Sequence, residues 1–392
     1  YHRLEYYAGT KDPGDRSEVL INDGTGHSTL QLNAGLNTIK LVDTLPVGLV
    51  NCTGLAYLDY DYDGKIDLFM STWFSDYKSN QTVNSSGYKM RDALLKGNGD
   101  GSFTLLNSTG VESHPEPEYG VNVTDWNNDG WQDIITSPYC RSGGYLFKNN
   151  KDGTFKESCS MANYNAQEMG GDNGQALCQW EAQAGDYDND GDMDLIQVNV
   201  HGGYNKGEGR THLTINGGAK NNYKFEWALD AFKRDAPMST THVADDGAAW
   251  VDINGDGLLD AVIGQTGYSN PSAGINVAGQ CRAYFMLQDS TGTFNEITDA
   301  LGLRTVLRES HSMEPCDFDL DGDQDIFISH LKLDTLDIKS YTGKDSVIEY
   351  SQVELVENFI GGNSNWLSLK LNPPADCNKS AIGSRITIYS KG

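Results

Sequence analysis

Basic side chains are scarce in this chain of 392 residues. Lys and Arg number 29 against 55 Asp and Glu, for a formal charge of −26. That balance argues against a nucleic-acid binder, which needs basic stripes, and against an anionic membrane surface as partner. No apolar run approaches the length of a membrane span, so no transmembrane helix is expected. The seven cysteines form no C-x-x-C pair, which removes the usual zinc sites. The eight histidines include no metal pair at i, i+4. G-x-S-x-G, H-E-x-x-H and a phosphate-cradling Gly-Lys-Ser/Thr loop are all missing. The chain opens at Tyr1 without Met or a signal peptide, which fits a processed or partly represented protein.

What is abundant is one acidic loop, five times over. DYDYDGKID, DWNNDGWQD, DYDNDGDMD, DINGDGLLD and DFDLDGDQD begin at Asp59, Asp125, Asp186, Asp252 and Asp317. All obey D-x-[DN]-x-D-G-x-x-D, and recurrence at near-constant spacing marks an internal repeat. Oxygen donors at alternate positions of a tight turn suit a hard cation taking six to eight oxygens. The expected donors in the first loop are Asp59, Asp61, Asp63, the Lys65 carbonyl and Asp67. Their counterparts are Asp125, Asn127, Asp129, Trp131 and Asp133; Asp186, Asp188, Asp190, Asp192 and Asp194; Asp252, Asn254, Asp256, Leu258 and Asp260; and Asp317, Asp319, Asp321, Asp323 and Asp325. Glycine is sixth in each loop, where the chain turns sharply. About five Ca2+ are expected, favoured over Mg2+ because an all-protein oxygen cage suits the larger ion. They would bring the charge of −26 to about −16. The competing reading is a set of metal-free Asp/Gly turns, which explains a D-G pair but not four ligand positions held in five copies.

An EF-hand opens the same way but ends in glutamate at position twelve, between helices. Here that position is Met70, Thr136, Gln197, Ile263 or Ile328. The flanks are short β-like runs such as DLFMS and DAVIG. Hairpin patterns follow at Ala93–Leu106, Tyr145–Ser158, His212–Trp227 and Ala283–Ile297. A weaker one is at Val353–Leu369, and another, at Ser17–Leu32, has no loop before it. Strand, metal loop, strand, connector and hairpin make four strands per unit of about 60 residues, which predicts an all-β protein, a β-propeller. Six hairpins and five loops suggest seven blades, alternatively six. The long polar connectors Trp73–Asp92, Ser160–Gln179, His201–Arg210, Gly267–Gln280 and Lys332–Glu349 are candidates for one binding face or for tolerated decoration.

The loop followed by an apolar strand and an L-x-x-N-x-G-x-G-x-F-like hairpin resembles the FG-GAP/VCBS repeats of integrin α-type propellers. Residues 365–392, through Asn365, Trp366, Leu367 and Ala381 to Arg385, resemble the start of an ASPIC/UnbV module. Together they resemble the secreted, calcium-binding cartilage acidic protein group, and divide the chain into a propeller at 1–364 and a partial module at 365–392. A secreted or cell-surface location would permit up to three disulfides, a local one among Cys140, Cys159 and Cys178 being plausible. It would also permit glycans at the sequons Asn51, Asn80, Asn84, Asn107, Asn122 and Asn378.

The resulting expectation is an extracellular adhesion, matrix or assembly protein without chemistry of its own. Its partner would be an extracellular protein, a glycan or further copies of itself. No catalytic residue stands out. His330 closes the strand after the fifth loop in a series with Thr72, Pro138, Asn199 and Gln265, like a strand end at a channel rim. Trp126 and Trp250 are expected to pack between blades. The alternative is a carbohydrate-active protein, a polysaccharide lyase-like enzyme or a lectin.

Overall fold

The computed structural model describes residues 19–25, 27–36, 52–72, 91–113, 118–138, 144–164, 179–199, 211–234, 243–267, 281–303, 310–336 and 346–359, with scattered positions from 367 to 388. A two-stranded hairpin comes first, β1 (Leu20–Asn22) with β2 (Ser28–Leu30). Blade I follows: β3 (Cys52–Leu58), β4 (Asp67–Thr72), β5 (Ala93–Gly97) and β6 (Phe103–Leu105), paired antiparallel in that order. Blade II repeats it with β7 (Glu118–Thr124), β8 (Asp133–Pro138), β9 (Leu146–Asn149) and β10 (Phe155–Glu157). Blade III has β11 (Gln179–Gly185), β12 (Asp194–Asn199), β13 (His212–Asn216) and β14 (Phe225–Ala228). After β15 (Phe232–Lys233), blade IV has β16 (Val243–Val251), β17 (Asp260–Gly267), β18 (Ala283–Gln288) and β19 (Phe294–Glu296). β15 adds to its outer edge, parallel to β19. Blade V has three strands: β20 (Ser310–Cys316), β21 (Asp325–Leu336) and β22 (Ser346–Val356).

The first strand of each blade is innermost, and β3, β7, β11, β16 and β20 contact one another in that order. The second strands are sandwiched on both faces. β4 and β12 are buried at all six positions, which is why they read as continuous apolar runs rather than alternating ones. The cores lie between blades. Leu58, Phe69 and Leu94 of blade I meet Ile134, Phe147 and Phe155 of blade II, and Ile196 and Leu213 of blade III share a cluster with Ile263, Tyr284 and Phe294 of blade IV. Each such interface removes most of several large side chains from water, worth about 1.5–3 kcal/mol apiece. Trp126 is buried against Tyr223 and Phe225 of the next blade, and Trp250 donates its indole N–H to the Gln183 carbonyl at 3.0 Å. Both indoles thus serve blade packing.

Among the described residues five blades are found, where seven or six were expected. The hairpin at Ser17–Leu32 stays a separate two-stranded sheet; the first arm of the hairpin at Val353–Leu369 is paired, as β22, and most of its second arm lies outside the described residues. The connector expected at Lys332–Glu349 is also shorter than the sequence suggests. β21 continues to Leu336 and pairs through to Ser346 on β22. Most of the other connectors lie outside the described residues. No described cysteine is bridged: Cys52, Cys159, Cys281 and Cys316 are thiols. A local disulfide through Cys159 is thereby corrected, since its Sγ instead accepts from the Leu146 amide and donates to the Gly144 carbonyl. Cys140, Cys178 and Cys377 lie outside the described residues, as do Asn51, Asn80, Asn84 and Asn378. Asn107 is exposed, and Asn122 sits on β7 with its amide nitrogen donating to Gln183. Among the described residues no helix is long and apolar enough to cross a membrane.

Candidate metal centres and the opposite rim

Each acidic loop joins the innermost strand of a blade to the second, and a ladder pair closes it. The pairs are Leu58↔Asp67, Thr124↔Asp133, Gly185↔Asp194, Val251↔Asp260 and Cys316↔Asp325. The turn needs two left-handed residues. Position four has φ between 52° and 69° in Tyr62, Asn128, Asn189, Gly255 and Leu320. Position six is the glycine, with φ from 82° to 97°. The first Asp receives the position-six amide in four loops, for example Gly130 N–H to Asp125 Oδ2 at 2.7 Å. Position seven donates its amide to the position-five carboxylate in every loop, at 2.8–3.1 Å.

Position nine is fully buried in all five loops, as Asp67, Asp133, Asp194, Asp260 and Asp325. One oxygen accepts the backbone amide of Gly97, Asn149, Asn216, Gln288 or Asn358 at the end of the third strand, at 2.7–2.8 Å. The other faces the loop. Burial pushes Asp133 and Asp194 up to about 8, Asp67 to about 7 and Asp260 to about 6, despite these backbone donors. Neighbouring loop aspartates raise them further. In three loops a carboxylate trio converges, with one oxygen each of Asp59, Asp61 and Asp67, of Asp186, Asp188 and Asp194, or of Asp317, Asp319 and Asp321 within 4.8 Å of one another. Asn127 and Asn254 stand at position three of the other two. Asp133 Oδ2, Asp186 Oδ1 and both oxygens of Asp323 are buried without a hydrogen-bond donor. Buried, crowded, donor-poor carboxylates are costly alone and are the oxygen set a hard cation satisfies.

Two further features of the loops escaped the sequence reading. In blade I Lys96 bonds Asp61 and lies 2.7 Å from Asp63, and in blade II Lys148 lies 3.0 Å from Asp129. Burial raises Asp63 and Asp129, but the lysines outweigh it and hold both below the usual carboxylate range. The equivalent residues in the other blades are Ile215, Leu287 and Glu357. The second feature is a latch. The amide side chains of Asn149, Asn216, Gln288 and Asn358 each reach back to the position-two carbonyl of the preceding blade's loop, Tyr60, Trp126, Tyr187 and Ile253, at 2.8–2.9 Å. An N or Q just before each hairpin turn was the available signal.

At the opposite end of every innermost strand the ladder slips by one residue. The slips fall between Cys52 and Gly54, Glu118 and Val121, Gln179 and Glu181, Asp245 and Gly247, and Ser310 and Ser312. A β-bulge re-aims a side chain out of the ladder. The residues so re-aimed are Thr53, Tyr119, Trp180, Asp246 and His311, each partly exposed behind a buried predecessor. All five stand six residues ahead of an acidic loop. Neighbouring bulges are pressed together. A Cβ on Gly120 would lie 2.3 Å from the Trp180 carbonyl, and one on Gly247 2.6 Å from the His311 carbonyl. The Tyr119 and Trp180 rings meet edge to face at 4.1 Å. Asp246 is bonded to His311 Nδ1. Glu181 takes the glycine's place in blade III and accepts the Ala248 amide of blade IV at 2.6 Å. Burial pushes Glu181 up to about 7, and the nearby charges of Asp246 and Glu314 add to the rise. The strand-end series also falls on this rim: His330 is buried there, 3.4 Å from Glu354.

No curated relative matches the sequence. Among solved structures, a lectin of Agrocybe aegerita described as recognising non-reducing terminal N-acetylglucosamine aligns over 89% of this chain and 92% of its own, at 13% identity and a TM-score of 0.39. A GH32 β-fructofuranosidase of Bombyx mori aligns over 72% of this chain at 10% identity and 0.38, the chain spanning about half (55%) of that enzyme. A GH43 β-xylosidase/α-arabinofuranosidase from a compost metagenome, in a calcium-free form, aligns over 82% and 97% at 12% identity and 0.36. Two of these three are glycoside hydrolases, and the expectation of a chain without chemistry of its own is corrected on that finding. The family model for FG-GAP-like repeats matches residues 125–197 and 252–328, which take in loops two to five. The chain is thus a β-propeller that carries FG-GAP-like repeats over those two stretches.

Proposed function

We propose that the chain is a secreted, Ca2+-clipped propeller that binds carbohydrate on the rim opposite its metal loops. The observation that carries this reading is the partly exposed Tyr119–Trp180 step beside Glu181 and the Asp246–His311 pair. Aromatic faces accept the C–H surface of a sugar ring, and adjacent carboxylates and imidazole accept or donate to its hydroxyls. The ions play a structural part in this reading. They satisfy position nine and the donor-poor oxygens and neutralise the loop charge. Loops three to five, which lack a lysine over the carboxylates, take up Ca2+ most tightly. An extracellular setting, with millimolar Ca2+, suits such sites. Presentation of the glycan on a cell or matrix surface would give the chain an adhesive role. Residues 365–392 form a separate segment in this reading, in line with their ASPIC/UnbV resemblance.

The test is a glycan array probed with the Ca2+-loaded protein and with Trp180→Ala. Retained glycans should lose about tenfold or more in affinity on the substitution. Equal binding by the variant, or no retained glycan at all, would refute the rim site. Chelation followed by calorimetry should lower the melting temperature, with recovery on adding Ca2+. A melt insensitive to chelator, from protein free of metal by elemental analysis, would remove the clips.

A further inference from the structure

We propose that Glu181 and Asp246 form the acid and base of a glycosidic-bond hydrolase at this rim, with His311 as a positioning residue. The inference rests on the carbohydrate reading above and adds a reaction to it. The geometry comes from two adjacent innermost strands. Glu181 stands on β11 immediately after the bulged Trp180. Its Oε1 is tied to the Ala248 amide, two residues along β16 from the bulged Asp246. The two carboxyls therefore share one blade junction, each beside a bulge and neither part of a metal loop. Asp246 is held from the far side by His311 Nδ1 on β20, where the imidazole donates and the carboxylate accepts. The aromatic step of Tyr119 and Trp180 continues the same rim on β7 and β11.

The two carboxyls have unlike surroundings, which sorts their roles. Glu181 is held near 7 by burial and by the charges of Asp246 and Glu314, against the Ala248 amide and the Gln183 side chain, which favour its ionised form. Gly120 on β7 packs against its backbone and brings no charge. A carboxyl of that kind keeps its proton near neutrality and is fit to give it up. Asp246, with an imidazole donor, is fit to take one. In the step we assign, Glu181 gives its proton to the glycosidic oxygen. That oxygen leaves with the electron pair of its bond to the anomeric carbon. Asp246 accepts a proton from water, whose oxygen bonds the same carbon. Bulk water resets both carboxyls, and no oxidant or reductant enters.

The experiment uses the Ca2+-loaded chain on a panel of aryl glycosides and on any polymer retained by the array, with release of reducing ends as the readout. Glu181→Gln keeps the acceptor for Ala248, and Asp246→Asn keeps the partner of His311. Each should lower turnover at least about a hundredfold with its melting temperature little changed. Wild-type turnover should decline as pH rises through about 7, where Glu181 loses its proton. His311→Gln should shift the pH profile and lower kcat less than either carboxyl variant does. Glycan binding that depends on Trp180 without wild-type turnover, or with turnover unchanged in Glu181→Gln, would overturn the hydrolase and leave the binding site standing. Loss of Trp180-dependent binding would instead take down the reading beneath it.

Discussion

Asp133 shows how one carboxyl can act in opposite senses. One oxygen is engaged by the Asn149 amide at 2.8 Å, and the other is buried with no donor. Without a cation that charge is a liability; with one it is a ligand. Asp133→Asn keeps an acceptor for Asn149 and deletes the charge. The variant should melt higher than wild type in chelator and lower in Ca2+, by about 1–3 kcal/mol in each direction. Scanning calorimetry under both conditions reads it, and a shift of the same sign in both would contradict a bound ion. The pH dependence follows the same logic. Burial raises the folded-state values of Asp67, Asp133, Asp194 and Asp260 from the ordinary 3.8 to between about 6 and 8. Folding therefore takes up protons across that window. Cation-free protein should be most stable near pH 4 and lose stability as pH rises through 6 to 8. Ca2+-loaded protein should instead lose stability on acidification, because protons compete for the ligands.

At the scale of an element, the unit is the strand pair with its loop, fastened to the blade before it. Asn216 is the clearest fastener. Its side-chain nitrogen reaches the Trp126 carbonyl of blade II at 2.8 Å and the Met193 carbonyl at 3.2 Å, while its oxygen accepts the Gly218 amide. Asn216→Ala would strand buried carbonyls on both blades and should cost about 1–3 kcal/mol in urea unfolding. Asn98→Ala, in an exposed hairpin of blade I, should cost less than about 0.5 kcal/mol. The acidic loops were legible in sequence because they are a fixed local spacing of one residue type. The latch was less so. Asn149, Asn216, Gln288 and Asn358 look like turn residues until the neighbouring blade is placed, since their partners lie 89 to 105 residues away. The bulges were invisible for another reason. Thr53, Tyr119, Trp180, Asp246 and His311 share no chemistry, only a position, and a slip in register leaves no mark on hydrophobic alternation.

For the whole molecule, charge and blade count matter most. A net −26 is opposed by five loops' worth of divalent cation in the proposed state. Stripped of metal, the chain should gain stability as NaCl rises from 10 to several hundred mM, since the Debye length shrinks from about 30 Å to a few ångströms. The loaded protein should respond much less, and equal salt responses would show that the loops carry no ions. The count of blades was overestimated because hairpins were counted rather than complete sheets. Val353 to Leu369 carries the hairpin signature, yet among the described residues beyond Val356 there is no paired strand, and Leu367 and Leu369 are exposed. Repeat identity was readable from Asp and Gly spacing; closure depends on pairings between distant segments, which no local pattern records.

The five slipped positions also amount to a natural panel for variation. Each is excluded from ladder pairing, each is partly open to solvent, and each lies at the far end of its strand from the acidic loop. Exchange of the side chains at 53, 119, 180, 246 and 311 would change the surface this rim presents and leave the hydrogen-bonded frame in place. A single scaffold of this kind is suited to diversification by substitution at five addresses, one per blade.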